Sequence, residues 1–506
     1  MSDTETALLK AIYAQPEEDT PRLVYADWLD EQGTPAQTTR AEFIRLQIEM
    51  APMMPDSHTA PNDWEQPRYR GLEARAIELY NRHSRAWFGN LDRLVDHIDL
   101  HRGFPDHIEL TVRRFIAKGE EIFRLAPTIR NVFLDKLGRN AAALAKCKAL
   151  RHVRELVFFE TPLWAAEMTA LAKSPHLGNL RVFEIPFTDT EIGAEGARAL
   201  AKAKSITALE TLNLFNHRIH NVGAQFLLAA PWSSALRDLN LGGNGLGEYF
   251  AELLADADHL SGLRNLDLMN NYIGSHGAEV LSRSAILTGL EELSLMNNPI
   301  GDVGARALAE SRHLRCLRRL DLARCNLTDE GCAAVAAGGW DLESLRLVGN
   351  TVGPATIAAL AKARHLARLR KLGLWDCEID PIVAAALGRV AGLARLQDFR
   401  VSGNPLEPAG VRALLDGPLV ASVTWLDLDR CGIGDDGAAA IARSPTVANL
   451  RILHLRSNRI TVKGAKALAR SRHLANLQSL HIRENRIGRE GRAVLKRRFG
   501  KDRCHF

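Results

Sequence analysis

Leu263–Gly274 reads LRNLDLMNNYIG, and Leu290–Gly301 reads LEELSLMNNPIG. LRILHLRSNRIT from Leu450 and LQSLHIRENRIG from Leu477 keep the same frame, L-x-x-L-x-L-x-x-N-x-I. Its ninth position is filled in turn by Thr161, Thr188, His217, Asn244, Asn271, Asn298, Cys325, Asn350, Cys377, Asn404, Cys431, Asn458 and Asn485. The mean spacing is 27 residues, broken by one step of 29 before His217 and one of 25 before Asn350. The L-x-L portion alternates, which predicts a short strand with one buried face. A small-residue helix follows each turn, as in GAEVLSRS, GARALAES and GAKALARS. One unit cannot bury its own leucines, so stacked units must share a core between a parallel sheet and a layer of helices. Helices are wider than the strand spacing of about 4.8 Å, so the stack is expected to curve. The predicted fold class is α/β: a curved horseshoe solenoid with a parallel sheet on the concave face and helices on the convex face.

The ninth position has a structural task. A side-chain amide inside the turn can donate to and accept from backbone groups of adjacent turns, and Thr or Cys can do a weaker version. The series Asn244, Asn271, Asn298, Cys325, Asn350, Cys377, Asn404, Cys431, Asn458 and Asn485 is therefore expected to form a ladder. On these residues the chain resembles leucine-rich-repeat proteins, and its helix-containing 27-residue units resemble the ribonuclease-inhibitor-like class. The resemblance spans residues 151–490. Residues 94–150, with VDHIDLHRGF and IRNVFLDKLG, keep the apolar alternation but lose the Asn, and are expected to be degenerate capping repeats.

Residues 1–50 lie outside the repeat and predict a small helical module. ETALLKAIYAQ places Leu8 and Ile12 at helical spacing, DTPRLVYADWLDEQG has Pro21 near its start and Gly33 near its end, and RAEFIRLQIEM groups Phe43, Ile44, Ile48 and Met50. PEEDTPRLVYADWLDEQG followed by RAEFIRLQ resembles the bacterial repeat-companion domain. That resemblance implies a bacterial repeat protein and brings no activity with it. Asp27, Asp30 and Glu31 are candidates for a contact site, weighed against a solvated helix face over buried Trp28 and Leu29. Residues 51–93, with Pro52, Pro55, Pro61 and Pro67, read as a linker and a helix whose Trp87 and Phe88 dock on the repeats. Residues 491–506 read as a basic C-terminal cap.

Composition sets the outer limits. The chain has 506 residues, 46% of them hydrophobic, and no long charge-free apolar run to cross a membrane. The N-terminus, MSDTETALLK, lacks the basic and apolar segments of a secretory signal. Seven cysteines are too few for a disulfide scaffold, so a cytoplasmic location is expected. Residues 1–56 carry 11 acidic and 4 basic side chains, a balance of −7, whereas residues 443–506 carry 17 basic and 3 acidic, a balance of +14.

Catalytic and metal motifs are missing: there is no phosphate-binding loop, no dinucleotide fingerprint, no H-E-x-x-H and no paired C-x-x-C. No cofactor, metal or enzymatic activity is expected. Cys325, Cys377 and Cys431 recur two repeats apart, roughly 10 Å in the stack, too far to share one ion. His176, His259, His313, His365 and His473 each precede a Leu where the chain returns to the strand, within reach of helix C-terminal carbonyls. His454 and His481 share one outward strand position in adjacent repeats, a pairing that would suit a metal or anion, but no carboxylate is read at that position next door.

Function is expected on the outward strand residues. Position seven runs Phe159, Pro186, Phe215, Gly242, Met269, Met296, Ala323, Val348, Trp375, Ser402, Asp429, Arg456 and Arg483. An exposed apolar stripe with these residue types marks a protein interface. Phe159, Phe215, Met269, Met296, Val348 and Trp375 are the expected anchors, with Asp267, Asp321, Arg346 and Arg400 orienting a protein partner. Competing readings are a regulatory accessory of GTPases, nucleic-acid binding through Arg492, Lys496, Arg497 and Arg498, and self-association of acidic front to basic rear. Sparse aromatic interleaving argues against nucleic acid.

Overall fold

The computed structural model describes residues 2–15, 18–53, 67–159, 161–186 and 191–506. Pro55, Pro61 and Thr188 lie outside the described residues. The chain divides into two compact units, Met1–His217 with Ala230–Trp232, and Arg218–Ala229 with Ser233–Phe506.

The first unit opens with helices Asp3–Ala14, Asp19–Glu31 and Pro35–Met50. Ser2 and Thr34 cap the first and third through their hydroxyls, and Pro35 occupies the first turn where its missing N–H costs nothing. The third helix therefore starts five residues earlier than RAEFIRLQIEM alone suggests. Ile12, Tyr25, Ala26, Leu29, Ala41 and Ile44 close one core around Phe104. Trp28 is half-buried, and Arg45 ties down Asp27 at 2.6 Å and Asp30 at 2.7 Å. The 22-residue helix Pro67–Phe88 closes a second core with Phe43, Met50 and Leu79. Its Trp87 packs on Phe43 at 4.9 Å. Buried Arg40 lies over Trp87, Phe88 and Phe104 at 4.7–4.9 Å, and its guanidinium donates to the Gly103 carbonyl at 2.7 Å. Burial draws this guanidinium down to about 10.

The segment His97–His101 departs from the repeat pattern. It runs antiparallel to Phe104–Thr111, joined by Arg102 and Gly103 in left-handed conformations. Gly103 is required there twice over: its φ is +88°, and a Cβ would come within 2.9 Å of the Ile44 backbone. From Phe104–Thr111 onward the strands Asn131–Asp135, Glu155–Phe158, Val182–Glu184 and Thr211–Asn213 pair in parallel.

In the second unit, three-residue strands from Asp238–Asn240 to Ser479–His481 stack in parallel and in register, each followed by a helix of eight to twelve residues. Their central residues, among them Leu266, Leu293, Leu320, Leu345, Leu372, Phe399, Leu426, Leu453 and Leu480, are all buried, while the flanking ones are mostly half-exposed. Each such leucine stabilises the fold by roughly 1.5–3 kcal/mol, but only because a neighbouring unit covers it. The helices also cap one another. Asp329 accepts from the backbone of Gly353, Ala355 and Thr356 in the next repeat, and Asp435 does the same for Thr461 and Gly464. Cys504–His505 adds a final parallel strand beside Leu480 and His481. Phe506 lies under Arg492 and Lys496.

Candidate functional site

The turn interior is fully engaged. The Asn271 amide donates to the carbonyls of Leu241 and Leu268, and its oxygen accepts from the backbone N–H of Asn244 and Leu246. Asn298, Asn350, Asn404, Asn458 and Asn485 donate in the same way to a carbonyl one repeat earlier. The thiols of Cys325, Cys377 and Cys431 donate to Leu295, Leu347 and Val401 at 3.1–3.3 Å. Burial pushes these thiols up to about 12. His217 substitutes its ring for the amide and contacts the Ile185 carbonyl at 3.0 Å.

The outward strand face is more varied. At position five, Asn213, Asn240, Asp267, Asp321 and Asp427 each accept the backbone N–H two residues on, at 2.9–3.2 Å. Asp267 and Asp321 thus have a local backbone task that the sequence reading missed. Burial, first of all, raises both carboxyls, and Arg346 pairs with Asp321 at 2.7 Å.

At position seven the apolar residues are not all available. Phe159, Phe215, Met269, Met296 and Trp375 are half-buried, but Val348 is only 3% exposed and Ala323 is fully buried. Val348 is therefore not an exposed anchor. Position seven lies beyond the three-residue strand, where strict alternation ends and the chain already turns toward the buried ladder; short side chains there are shielded by neighbours about 4.8 Å away. Phe159 and Phe215 belong to the first unit, and Met269, Met296 and Trp375 to the second.

Trp375 and Arg400 meet in one hollow of about 380 Å³, lined also by Ser402, Asp427, Asp429, Arg430 and Arg456. Arg346 stacks over Trp375 at 5.0 Å, and Gly373 leaves room for the ring. Arg400 grips Asp398 through two 2.8 Å bonds and stacks over Trp425 at 4.8 Å. A column of rings continues from there: Trp425 on His454 at 5.6 Å, His454 on His481 at 4.1 Å, and His481 on His505 at 4.3 Å. Burial draws His454 down, and burial with His454 and His505 nearby draws His481 down to about 4.

The expectation that no carboxylate adjoins His454 at its strand position is overturned. Asp427 is in direct register with His454 on the preceding strand, and Asp429 comes within 3.9 Å of its ring. Trp425 and His505 were also missed. For Asp427 alone the signal was present, because in-register parallel pairing places equal repeat positions side by side in both directions. Of the return-loop histidines, His259 reaches the Leu228 carbonyl at 2.8 Å, whereas His313 and His473 accept from Arg312 and Arg472 instead. At the C-terminal end, Arg492 and Lys496 lie over Phe506, and Arg498 donates to the Ser471 carbonyl.

Comparison with known proteins bears on the repeats. The family model described as "Leucine Rich repeat" matches residues 288–309, 313–336, 421–442, 448–469 and 473–496. The chain thus carries leucine-rich repeats. A search of curated proteins finds no match. Among solved structures, similarity extends to an internalin, InlF, from Listeria monocytogenes (18% identity, 71% of this chain and 88% of that one, TM-score 0.42). It also extends to the Rad7 and Elc1 complex in yeast (14%, 85% and 97%, 0.45) and to the TLR13–ssRNA13 complex (18%, 74% and 66%, 0.37).

Proposed function

We propose that this protein is a non-catalytic scaffold that captures a protein partner on the outward face of its repeat strands, centred on the hollow beside Trp375. One observation carries the reading: Trp375 and Trp425 each lie beneath an arginine guanidinium, 4.8–5.0 Å from the ring centroid. Tryptophan and arginine dominate binding hot spots, and rings fixed before binding lose little freedom on docking. Asp321, Arg346 and Arg400 act chiefly by holding this arrangement, with Arg430 and Arg456 at the rim setting orientation. The C-terminal cations that would favour nucleic acid are partly occupied by Phe506 and the Ser471 carbonyl.

We place the protein in the cytoplasm, as a member of the ribonuclease-inhibitor-like class with an N-terminal repeat-companion domain. Its cysteines are all unpaired, and among the described residues no helix is long and apolar enough to cross a membrane.

Affinity enrichment from native lysate tests the reading. Trp375→Ala and Trp425→Ala should each weaken capture of the same partner by 1–3 kcal/mol, about 5- to 150-fold, with unchanged circular dichroism. Equal recovery of every partner by both variants would refute it.

A further inference from the structure

Two carboxylates and an imidazole converge at one end of that hollow. Asp427 on the strand Trp425–Asp427 and His454 on Ile452–His454 are register neighbours, and Asp429 sits two residues beyond Asp427. One ligand atom from each of the three lies within 4.8 Å of the other two. Asp427 and Asp429 line the hollow itself. We propose that Asp427, Asp429 and His454 form a binding site for a divalent transition-metal ion, of which Zn²⁺ is the best chemical fit.

Three features of the site support this beyond the grouping of side chains. The first is charge. Arg400, Arg430 and Arg456 line the same hollow, yet each is engaged with a different carboxylate: Asp398, Asp376 and Glu484. Among the described residues, neither Asp427 nor Asp429 has a lysine or arginine within ion-pair distance.

The second is orientation. Asp427 is fixed by the Asp429 N–H at 3.0 Å and by the Ser402 hydroxyl at 3.0 Å, and Asp429 accepts the Arg456 N–H at 2.6 Å. Each oxygen keeps a second lone pair. The His454 ring is clamped between Trp425 and His481, with interplanar angles of 13° and 16°. Outer contacts of this kind set the direction of metal ligands.

The third is reach. His454 Nδ1 lies 3.9 Å from Asp429 Oδ2. A tetrahedral ion with bonds of about 2.0–2.2 Å holds its ligands roughly 3.4 Å apart, so small side-chain rotations close the site. An oxygen and nitrogen donor set without thiolate suits Zn²⁺ and its neighbours, whereas Ca²⁺ demands six to eight oxygens. Three protein ligands leave a coordination position for water or for a donor from a partner.

His481 stands outside this set. Its ring is stacked face to face with His454, so the two cannot direct in-plane lone pairs at one ion, and it already contacts the Ser479 hydroxyl at 3.0 Å. That separates the proposal from loose binding to a histidine cluster.

The test is calorimetric titration of the full chain with Zn²⁺, with Co²⁺ as a spectroscopic probe. One equivalent should bind and give visible Co²⁺ bands. Asp429→Asn and His454→Gln should each weaken binding about tenfold or more, while His481→Gln, which removes only a ring stacked on His454 and no ligand, should weaken it clearly less. Metal-free thermal unfolding of all three variants shows whether they fold. The proposal is overturned if no equivalent binds, if Asp429→Asn and His454→Gln bind as the intact protein does, if His481→Gln loses binding equally, or if Ca²⁺ or Mg²⁺ displaces Zn²⁺ at equal concentration.

Discussion

The ninth-position row inside the turns and the outward strand face recur with the same period and meet opposite fates. Inside, every asparagine of the row from Asn271 onward has donors and acceptors matched to backbone of the neighbouring repeat. Outside, a carboxylate at one strand position is paired in one repeat, as Asp321 is with Arg346, and left beside another acid in a later one, as Asp427 is with Asp429. The turn row repeats because each unit poses the same backbone problem. The strand face varies because nothing in the stack demands one answer there, and that is where specificity can be written.

Within the turn row, Asn and Cys are not equivalent. A following Asn takes two N–H groups of the preceding turn, as Asn404 does for Cys377 and Ile379. A following Cys donates its S–H but leaves those N–H groups to other acceptors: the Ile300 N–H turns to the carbonyl of its own Asn298. The largest effect is therefore expected from Asn404→Ala, which strips partners from buried N–H and C=O groups and should cost about 3 kcal/mol. Urea unfolding reads the total, and faster amide exchange at Cys377 and Ile379 locates it. Cys377→Ala removes only a weak donor and should cost about 1 kcal/mol; a cost equal to that of Asn404→Ala would erase the distinction.

On the strand face the sharper probes are titrations. Burial, with Glu184 and Asp106 adding to it, pushes the Glu155 carboxyl up to about 7. Between the ordinary carboxylate range and pH 7 the folded state holds a proton that the unfolded chain has released, so stability falls as pH rises through this window. Glu155→Gln should flatten that slope and raise the thermal midpoint at pH 8 relative to the intact protein. His481 acts in the other direction. Partly buried, and faced by His454, His505 and Arg483, it stays neutral in the fold down to about 4 while the unfolded chain protonates near 6.5. Stability is thus lost as pH falls from about 6.5 to 4. His481→Gln should remove a small part of that loss in parallel melts at pH 7 and pH 5.

The residues that were legible in the sequence are those that the repeat constrains. Leucine alternation locates each strand, and the asparagine series marks the turns. His97–His101 was harder: HIDLHRGFPDHIEL has the same alternation as a worn repeat, and only the two-residue Arg102-Gly103 link betrays a hairpin. Val348 was misplaced because position seven no longer follows strand alternation. The ring column through Trp425, His454, His481 and His505 joins positions three and five of different repeats and a segment outside the repeat, so reading down one position could not reveal it.

The unpaired cysteines give the molecule an internal gauge of its own integrity. Cys316 is exposed, whereas Cys325, Cys332, Cys377 and Cys431 are sealed. A thiol-reactive dye should label Cys316 first, and each further equivalent taken up would report which stretch of the second unit has come undone.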